Sequence, residues 1–187
     1  MPRDIKNVET LDKMKDKGLY REVRRSISRF HSVLGVRETN FVLADLPKKP
    51  STVAQQTSNG FGSLFIVLNK KFFNMSKKKF VETAKEQYKV GWSTKTNKPV
   101  AHTVTHELAH ALWSDNRIEP RLRQAGDEIK KLRRKWLADK KRTELGYGDY
   151  AKKNVNEFWA EVVTKAVHGQ SDKYTEAVKE IIKKYKL

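Results

Sequence analysis

The spacing of apolar residues along the chain predicts an N-terminal helix followed by two strands. Apolar side chains recur at helical spacing from residue 8 to about residue 32, and the other faces of this segment are charged. Residues 40–45 are expected to form a first strand that Pro47 and Pro50 end. Residues 63–69 are expected to form a second strand, apolar on both faces and therefore at least partly buried on both.

The rest of the chain is expected to consist of a connection and several helices. Residues 48–62 are rich in Ser, Thr, Gln and Gly, which is typical of a loop or a long hairpin connection. A short helix is expected over residues 76–88, with Gly91 ending the unit, although three lysines in its first turn oppose the helix dipole. Pro99 and Pro120 can each begin a further helix, and residues 143–153 are expected to be a loop.

This order of elements predicts one α+β domain over residues 1–187, with a small antiparallel or mixed sheet. Residues 1–35 would form an N-terminal helical segment and residues 36–99 a subdomain that contains the sheet. Residues 100–187 would form a helical half with C-terminal helices.

Charge adds an expectation about partners. The chain has 40 Lys and Arg against 22 Asp and Glu, a formal net charge of +18. Such a field attracts polyanions, so nucleic acid or an acidic protein is an expected neighbour. Residues 120–141 are the best candidate for that surface because basic residues cover most of this helix, although a simple solvated face is the alternative.

Composition excludes two kinds of site and gives no sign of an oxidising compartment. The chain has no cysteine, so disulfides and thiolate metal sites are excluded, and histidine and carboxylate remain as zinc ligands. Its apolar runs are too short to span a bilayer, and the amino terminus lacks the apolar core of a signal peptide. We expect a cytoplasmic or virion-associated chain that has no membrane partner.

A His-Glu-x-x-His motif formed by His106, Glu107 and His110 carries the candidate chemistry. On a helix, residues four apart lie on one face, so the two imidazoles can hold one zinc ion, Zn²⁺. Glu107 stands about 100° round from His106 and faces the remaining coordination positions, where a water would lose its proton to it. Val104 and Leu108 lie on the opposite side of the helix, which can therefore pack on a core.

A second helix, over residues 154–168, offers a third ligand. Glu157 and Glu161 share one of its faces, opposite an apolar face, and two histidines with one carboxylate leave a coordination position open for hydrolysis. We choose Glu157 as the ligand, although it could instead cap the helix behind Asn154. Asp149 is the alternative ligand, in a loop.

Three further acidic or histidine residues lie in these two helices, namely Glu161, His102 and His168. Glu161 could accept a hydrogen bond from the outer N–H of a ligand histidine, or could be a surface carboxylate. His102 could line the cleft, but a histidine that binds no metal is the simpler interpretation. His168 lies too far along the helix from Glu157 to share one ion with it.

From Val100 to His168 the chain resembles the gluzincins, zinc metallopeptidases whose third ligand is a glutamate on a second helix. The Glu157-Phe-Trp-Ala-Glu161 sequence, with a tyrosine seven residues before Glu157, looks most like the catalytic domain of anthrax lethal factor and its relatives in toxins and bacteriophages. The metzincins fit less well, because Trp113 and Asn116 occupy the positions of their glycine and third histidine.

The resemblance implies a zincin-like fold and a role for each residue. His106, His110 and Glu157 would be the zinc ligands, Glu107 the general base, and Tyr150 the group that hydrogen-bonds the oxyanion. An edge strand beside the cleft would align an extended protein or peptide substrate, and residues 63–69 are the candidate for it. The expected activity is zinc-dependent peptide hydrolysis. The alternative is a basic nucleic-acid-associated or virion structural protein with an inactive zincin domain.

Overall fold

The computed structural model describes residues 5–36, 39–58, 64–89, 94, 96–114 and 119–187. The α+β prediction is confirmed, and the sheet is mixed. Its strands are β1 Lys6–Glu9, β2 Asn40–Asp45, β3 Ala54–Ser58 and β4 Leu64–Asn69. The helices are α1 Lys17–Leu34, α2 Lys70–Phe73, α3 Lys77–Lys89, α4 Pro99–Leu112, α5 Pro120–Ala138, α6 Val155–Val167 and α7 Lys173–Tyr185. Short 3-10 helices cover Leu11–Lys13, Arg142–Leu145 and Asp149–Lys152.

The order of strands in the sheet is β1, β2, β4, β3. The central pair β2 and β4 is parallel, and each outer strand runs antiparallel to its neighbour. Strand β4 therefore has a partner on both sides, so the prediction that residues 63–69 form an edge strand is wrong. The edge beyond β4 is β3, which lies inside the predicted connection 48–62. Its sequence, Ala-Gln-Gln-Thr-Ser, lacks an apolar alternation, and its pairing to β4 holds it in the sheet.

The predicted N-terminal helix begins later than expected. Residues 6–9 instead form β1, which pairs with β2, so the sheet extends into the segment assigned to residues 1–35. Helix α1 starts at Lys17 because the side chain of Asp16 caps it. Leu11 and Met14 are nonetheless buried in the core, so their helical spacing arose from the 3-10 helix Leu11–Lys13 and the residue after it. Gly91, expected to end α3, lies outside the described residues.

Helix α4 lies in the middle of the main core. Its back, formed by Val100, Val104 and Leu108, is fully buried and packs in one cluster with side chains from α1, α5, α6, α7 and the sheet. Val67 of β4 packs in a smaller cluster on the other face of the sheet, so the prediction that both faces of this strand are buried is confirmed. No described helix is long and apolar enough to cross a membrane.

One carboxylate joins two helices at the edge of this core. Asp16 Oδ1 accepts a hydrogen bond from the backbone N–H of Leu19 in α1 (2.8 Å), and Oδ2 accepts one from Lys77 at the start of α3 (2.9 Å). These hydrogen bonds, that of Lys77 first, lower the pKa of Asp16. Asp16 thus supplies negative charge at the first turn of α3, whose own sequence supplies only lysines.

We expect Asp16→Ala to lower the free energy of unfolding by about 2 kcal/mol, because each lost cap costs about 1 kcal/mol. Asp16→Asn should cost about half as much, since an amide retains one acceptor oxygen. Because the folded-state pKa of Asp16 is lowered, its contribution is present above the unfolded-state value of about 3.9 and is lost as the pH falls through the folded-state value. Urea denaturation at pH 7 and pH 3 would measure both effects; equal stability of the three proteins at pH 7 would contradict the double cap.

Candidate metal centre

The two helices that carry the candidate ligands, α4 and α6, are in direct contact. The indole N–H of Trp159 in α6 donates to the carbonyl of Ala109 near the end of α4 (2.8 Å). Every residue of α6 from Phe158 to Val167 is buried, so this part of the helix is enclosed on all sides. Glu161 lies within the buried stretch, whereas Glu157, one turn earlier, is only partly buried.

Three candidate ligand atoms form a nearly equilateral triangle. His106 Nε2 lies 3.1 Å from His110 Nε2 and 3.1 Å from Glu157 Oε2, and His110 Nε2 lies 3.2 Å from that same oxygen. Four ligands at about 2.0–2.1 Å from a tetrahedral zinc ion are separated by about 3.3–3.4 Å. The observed edges are close to this separation, so the triangle matches one face of such a tetrahedron.

Ordinary hydrogen bonding does not account for this triangle. An imidazole nitrogen directs its lone pair or its hydrogen along one line, so it cannot be aimed at both other corners. A cation held by all three atoms satisfies each of them at once. Two histidines and a carboxylate are a known zinc donor set that leaves a fourth position open. The residues present therefore fit a zinc ion.

Glu161 fixes the orientation of His106. Its Oε1 lies 2.9 Å from His106 Nδ1, the outer ring nitrogen, and 3.2 Å from His102 Nε2. The carboxylate is buried, with only 2% of Glu161 exposed. A hydrogen on Nδ1 leaves the lone pair of Nε2 directed at the triangle, as a ligand histidine requires. Glu161 thus lies in the position expected of an orienting carboxylate rather than at the surface.

His102, His106 and Glu161 form a second, buried group of atoms that could hold a metal ion. The two groups share His106 but use opposite nitrogens of its ring. His102 and Glu161 are both buried, whereas His110 and Glu157 are partly exposed. Since hydrolysis needs a coordination position that a substrate can reach, the group of His106, His110 and Glu157 is the better candidate for a catalytic ion.

The electrostatics of the cluster follow from burying acids and histidines together. Burial lowers the pKa of His106, but hydrogen bonds to Glu157 and Glu161 outweigh it and raise this pKa to about 10. Burial raises the pKa of Glu157, but the two imidazoles outweigh this effect and bring the pKa well below its usual range. The pKa of Glu107 is raised, mainly by burial. In the metal-free chain, both ring nitrogens of His106 are therefore protonated at neutral pH, and the ring is positively charged.

Tyr150 and Asp149 are adjacent in sequence but have different surroundings. Tyr150 donates a hydrogen bond to Glu157 Oε1 (3.0 Å), and its ring lies 5.7 Å from that of His106. Asp149 is exposed and pairs with Lys152, and it belongs to neither of the potential metal-binding groups among the described residues. The structure thus brings Glu157, and not Asp149, to the two histidines. The Glu157 side chain contacts them instead of capping α6, which Asn154 caps alone.

Lys165 was missed by the sequence analysis. It lies two turns beyond Glu157 on α6, its side chain is only 7% exposed, and it donates to the carbonyl of Leu145. Its ammonium also lies 3.9 Å from the ring centroid of Tyr147 and 3.4 Å from Asp172. The loop 143–153, which contains two 3-10 helices, is thus anchored to the helix that carries Glu157. The signal was available, because Glu157, Glu161 and Lys165 recur every four residues.

His168, as expected, does not reach the triangle. Its Nε2 lies 3.3 Å from the hydroxyl of Thr105, and its ring centroid lies 6.2 Å from that of His102. Burial is the main cause that lowers the pKa of His168, to about 4. It is therefore a neutral neighbour of His102 near pH 7.

No protein-family model matches the chain, and no curated protein or solved structure matches it either.

We expect the purified wild-type chain to bind about one zinc ion and Glu157→Ala to lose it, because removing one of three ligands leaves two histidines. Asp149→Ala is the matched control, since it removes an exposed carboxylate that lies away from the triangle. Elemental analysis at equal protein concentration measures the difference. Loss of zinc from Asp149→Ala with retention in Glu157→Ala would reverse the ligand assignment.

Zinc binding should also release protons. Because the pKa of His106 is raised to about 10 in the metal-free chain, zinc must displace about one proton from this residue at pH 7. Calorimetric titrations in buffers of different ionisation enthalpy measure the number released. The release should decrease as the pH rises through about 10, where His106 is already neutral. Binding that releases no proton at pH 7 would show that His106 is not a ligand.

Proposed function

We propose that the protein is a zinc-dependent endopeptidase with a zincin-like fold. The observation that carries this proposal is the triangle of His106, His110 and Glu157 with Glu107 next to it in α4. A purely structural ion needs only the ligands. Glu107 is not a ligand in either potential metal-binding group, yet it is partly buried beside them, as a general base must be.

His106, His110 and Glu157 would hold the ion, and Glu161 would keep the ring of His106 turned towards it. Zinc bound there would supply Lewis acidity towards the scissile carbonyl and would lower the pKa of a water next to it. Glu107 accepts the proton of that water and passes it to the leaving amine. The raised pKa of Glu107 lies nearer to neutral pH, which suits both the uptake of the proton from water and its transfer to the amine.

Tyr150 stabilises the oxyanion of the tetrahedral intermediate. Burial and the charge of Glu157 raise its pKa, so the phenol remains a hydrogen-bond donor at neutral pH. The same hydroxyl contacts Glu157 Oε1 in the structure, so it lies next to the triangle of candidate ligands. Lys165 and Tyr147 hold the loop that places it.

The substrate is a protein or peptide bound in an extended form. Strand β3 is paired to β4 on one side and lies beside α4. An extended peptide can add to the outer side of β3, which pairs with no other strand among the described residues. This assigns to β3 the role that the sequence suggested for residues 63–69.

A second candidate function rests on the net charge of +18. A basic structural protein associated with nucleic acid could retain such a domain without turnover. Peptidase activity is the better proposal, because the raised pKa of Glu107 and the contact of Tyr150 with Glu157 serve catalysis and add nothing to nucleic-acid binding.

We expect Glu107→Gln to retain zinc and to hydrolyse an unfolded, fluorescently labelled protein about 10²–10⁴-fold more slowly than the wild type, because the general base is lost. Tyr150→Phe should also retain zinc and lose up to about 10²–10³-fold in kcat. The control is Asp149→Asn, which should leave the rate unchanged. Fluorescence release and elemental analysis of the same samples separate lost chemistry from lost metal.

A zinc-loaded wild type that cleaves neither unfolded proteins nor a library of extended peptides would overturn the peptidase proposal. Equal rates for wild type and Glu107→Gln would also overturn it, because the observed cleavage would then come from a contaminant or from another site.

A further inference from the structure

The second half of α5 and the residues after it expose an almost uninterrupted basic surface. Of the residues between 130 and 141, seven are exposed, and all but Ala138 are cations. We call these six residues the basic face: Lys130, Lys131, Arg134, Lys135, Lys140 and Lys141. The first four form two adjacent rows with i, i+4 spacing on the solvent side of α5, opposite the buried Ile129 and Trp136.

Two of the neighbouring carboxylates, Asp139 and Glu128, are paired with cations from α7. Asp139 contacts Lys173 (2.6 Å) and accepts a hydrogen bond from Tyr174, and these contacts lower its pKa. Glu128 contacts Lys184 (2.5 Å) and also lies in a shallow groove between α5 and α7. These two acids are thus offset by other lysines. Glu180 of α7 also lines the groove beside Lys131 and Lys135, but the six cations of the basic face outnumber it, so the face keeps a positive potential.

The chemistry of the face favours a polyphosphate over a protein partner. Protein interfaces depend on buried aromatic or aliphatic anchors, and charged residues are depleted at their centres. The exposed large hydrophobic residues of the described chain are Val8 and Val33, and neither belongs to α5. Phosphate groups require only cations, whose binding releases condensed counterions.

The same face favours a double strand over a single strand. Proteins that bind single strands stack the bases on exposed aromatic rings. In residues 130–141 the single aromatic residue is Trp136, which is buried against Phe158 and Tyr147. A straight helix is about 10–12 Å wide, so it can lie along the major groove of B-form DNA with its cations near the phosphates of that groove. The major groove of double-stranded RNA is too deep and narrow for this.

We propose that the basic face binds the phosphate backbone of duplex DNA without sequence specificity. The proposal goes beyond the peptidase function and does not depend on it. It requires neither zinc nor Glu107, so the two proposals can fail independently.

The test compares two triple variants with the same change of charge. One replaces Lys131, Arg134 and Lys135 of the basic face with Gln, and the other replaces the exposed Arg21, Arg24 and Arg25 of α1 with Gln. Binding to a fluorescein-labelled duplex of about 25 base pairs is followed by anisotropy between 50 and 200 mM salt. Thermal unfolding of each variant confirms that it folds.

We expect the basic-face variant to bind at least about 10-fold more weakly at 100 mM salt. The slope of log K against log salt should also become shallower by about 2–3, since each lost phosphate contact removes about 0.9. The α1 variant should bind within about 3-fold of the wild type. Glu157→Ala, which removes a candidate zinc ligand, should bind as the wild type does.

Other outcomes would overturn the proposal. Equal losses in the two triple variants would mean that net charge alone drives binding. Tighter binding of a single strand or of duplex RNA would assign the face to another nucleic acid. Polyglutamate that competes as well as DNA at equal charge would favour an acidic protein partner. Absence of binding at 50 mM salt would reject the face as a DNA site.

Discussion

The interaction on which the site depends is the contact of one histidine with two carboxylates of a neighbouring helix. His106 directs Nε2 at Glu157 and Nδ1 at Glu161, two residues one turn apart on α6. A single ring therefore fixes both the distance and the rotation of α6 relative to α4. Burying these charges would be costly without such pairing, so the two helices can pack closely only in the arrangement that brings the ligand atoms together.

The surroundings of this contact are built to hold it. The back of α4 is apolar, α6 is buried from Phe158 to Val167, and the Trp159 indole donates a hydrogen bond to the carbonyl of Ala109 near the end of α4. Lys165 continues the row of Glu157 and Glu161 and anchors the loop that carries Tyr150. One face of α6 therefore presents Glu157 as a candidate ligand, Glu161 as the carboxylate that orients His106, and Lys165 as the anchor of the loop that carries Tyr150.

Charge is distributed very unevenly over the protein. Glu107, Glu157 and Glu161 lie together around the candidate metal centre, within a chain whose formal charge is +18. The cations lie mainly on solvent faces of helices, of which the second half of α5 is the most uniform. An acidic cluster of this kind attracts a divalent cation, whereas the outer surface attracts polyanions, so the two proposed activities use separate parts of the molecule.

Local spacing was enough to predict what a single element determines. Residues four apart on a helix are neighbours wherever that helix lies, so the pairing of His106 with His110 and the shared row of Glu157 and Glu161 could be predicted from sequence. The apolar back of α4 and the two buried faces of β4 follow from the same periodicities. The α+β class follows from the order of the elements.

Only the tertiary structure decided which distant residues meet. Glu157 lies 51 residues from His106 in sequence. Its place on a helix favoured it over Asp149 in a loop, but only the fold brings Glu157 to the histidines and leaves Asp149 exposed. The same holds for the sheet: β3 has no apolar alternation and exists because β4 offers it a free edge. The start of α1 was misplaced because the buried Leu11 and Met14, in and just after a 3-10 helix, imitate the spacing of an α-helix. Sequence periodicity records which side of an element is buried, but the partner that buries it is set by packing.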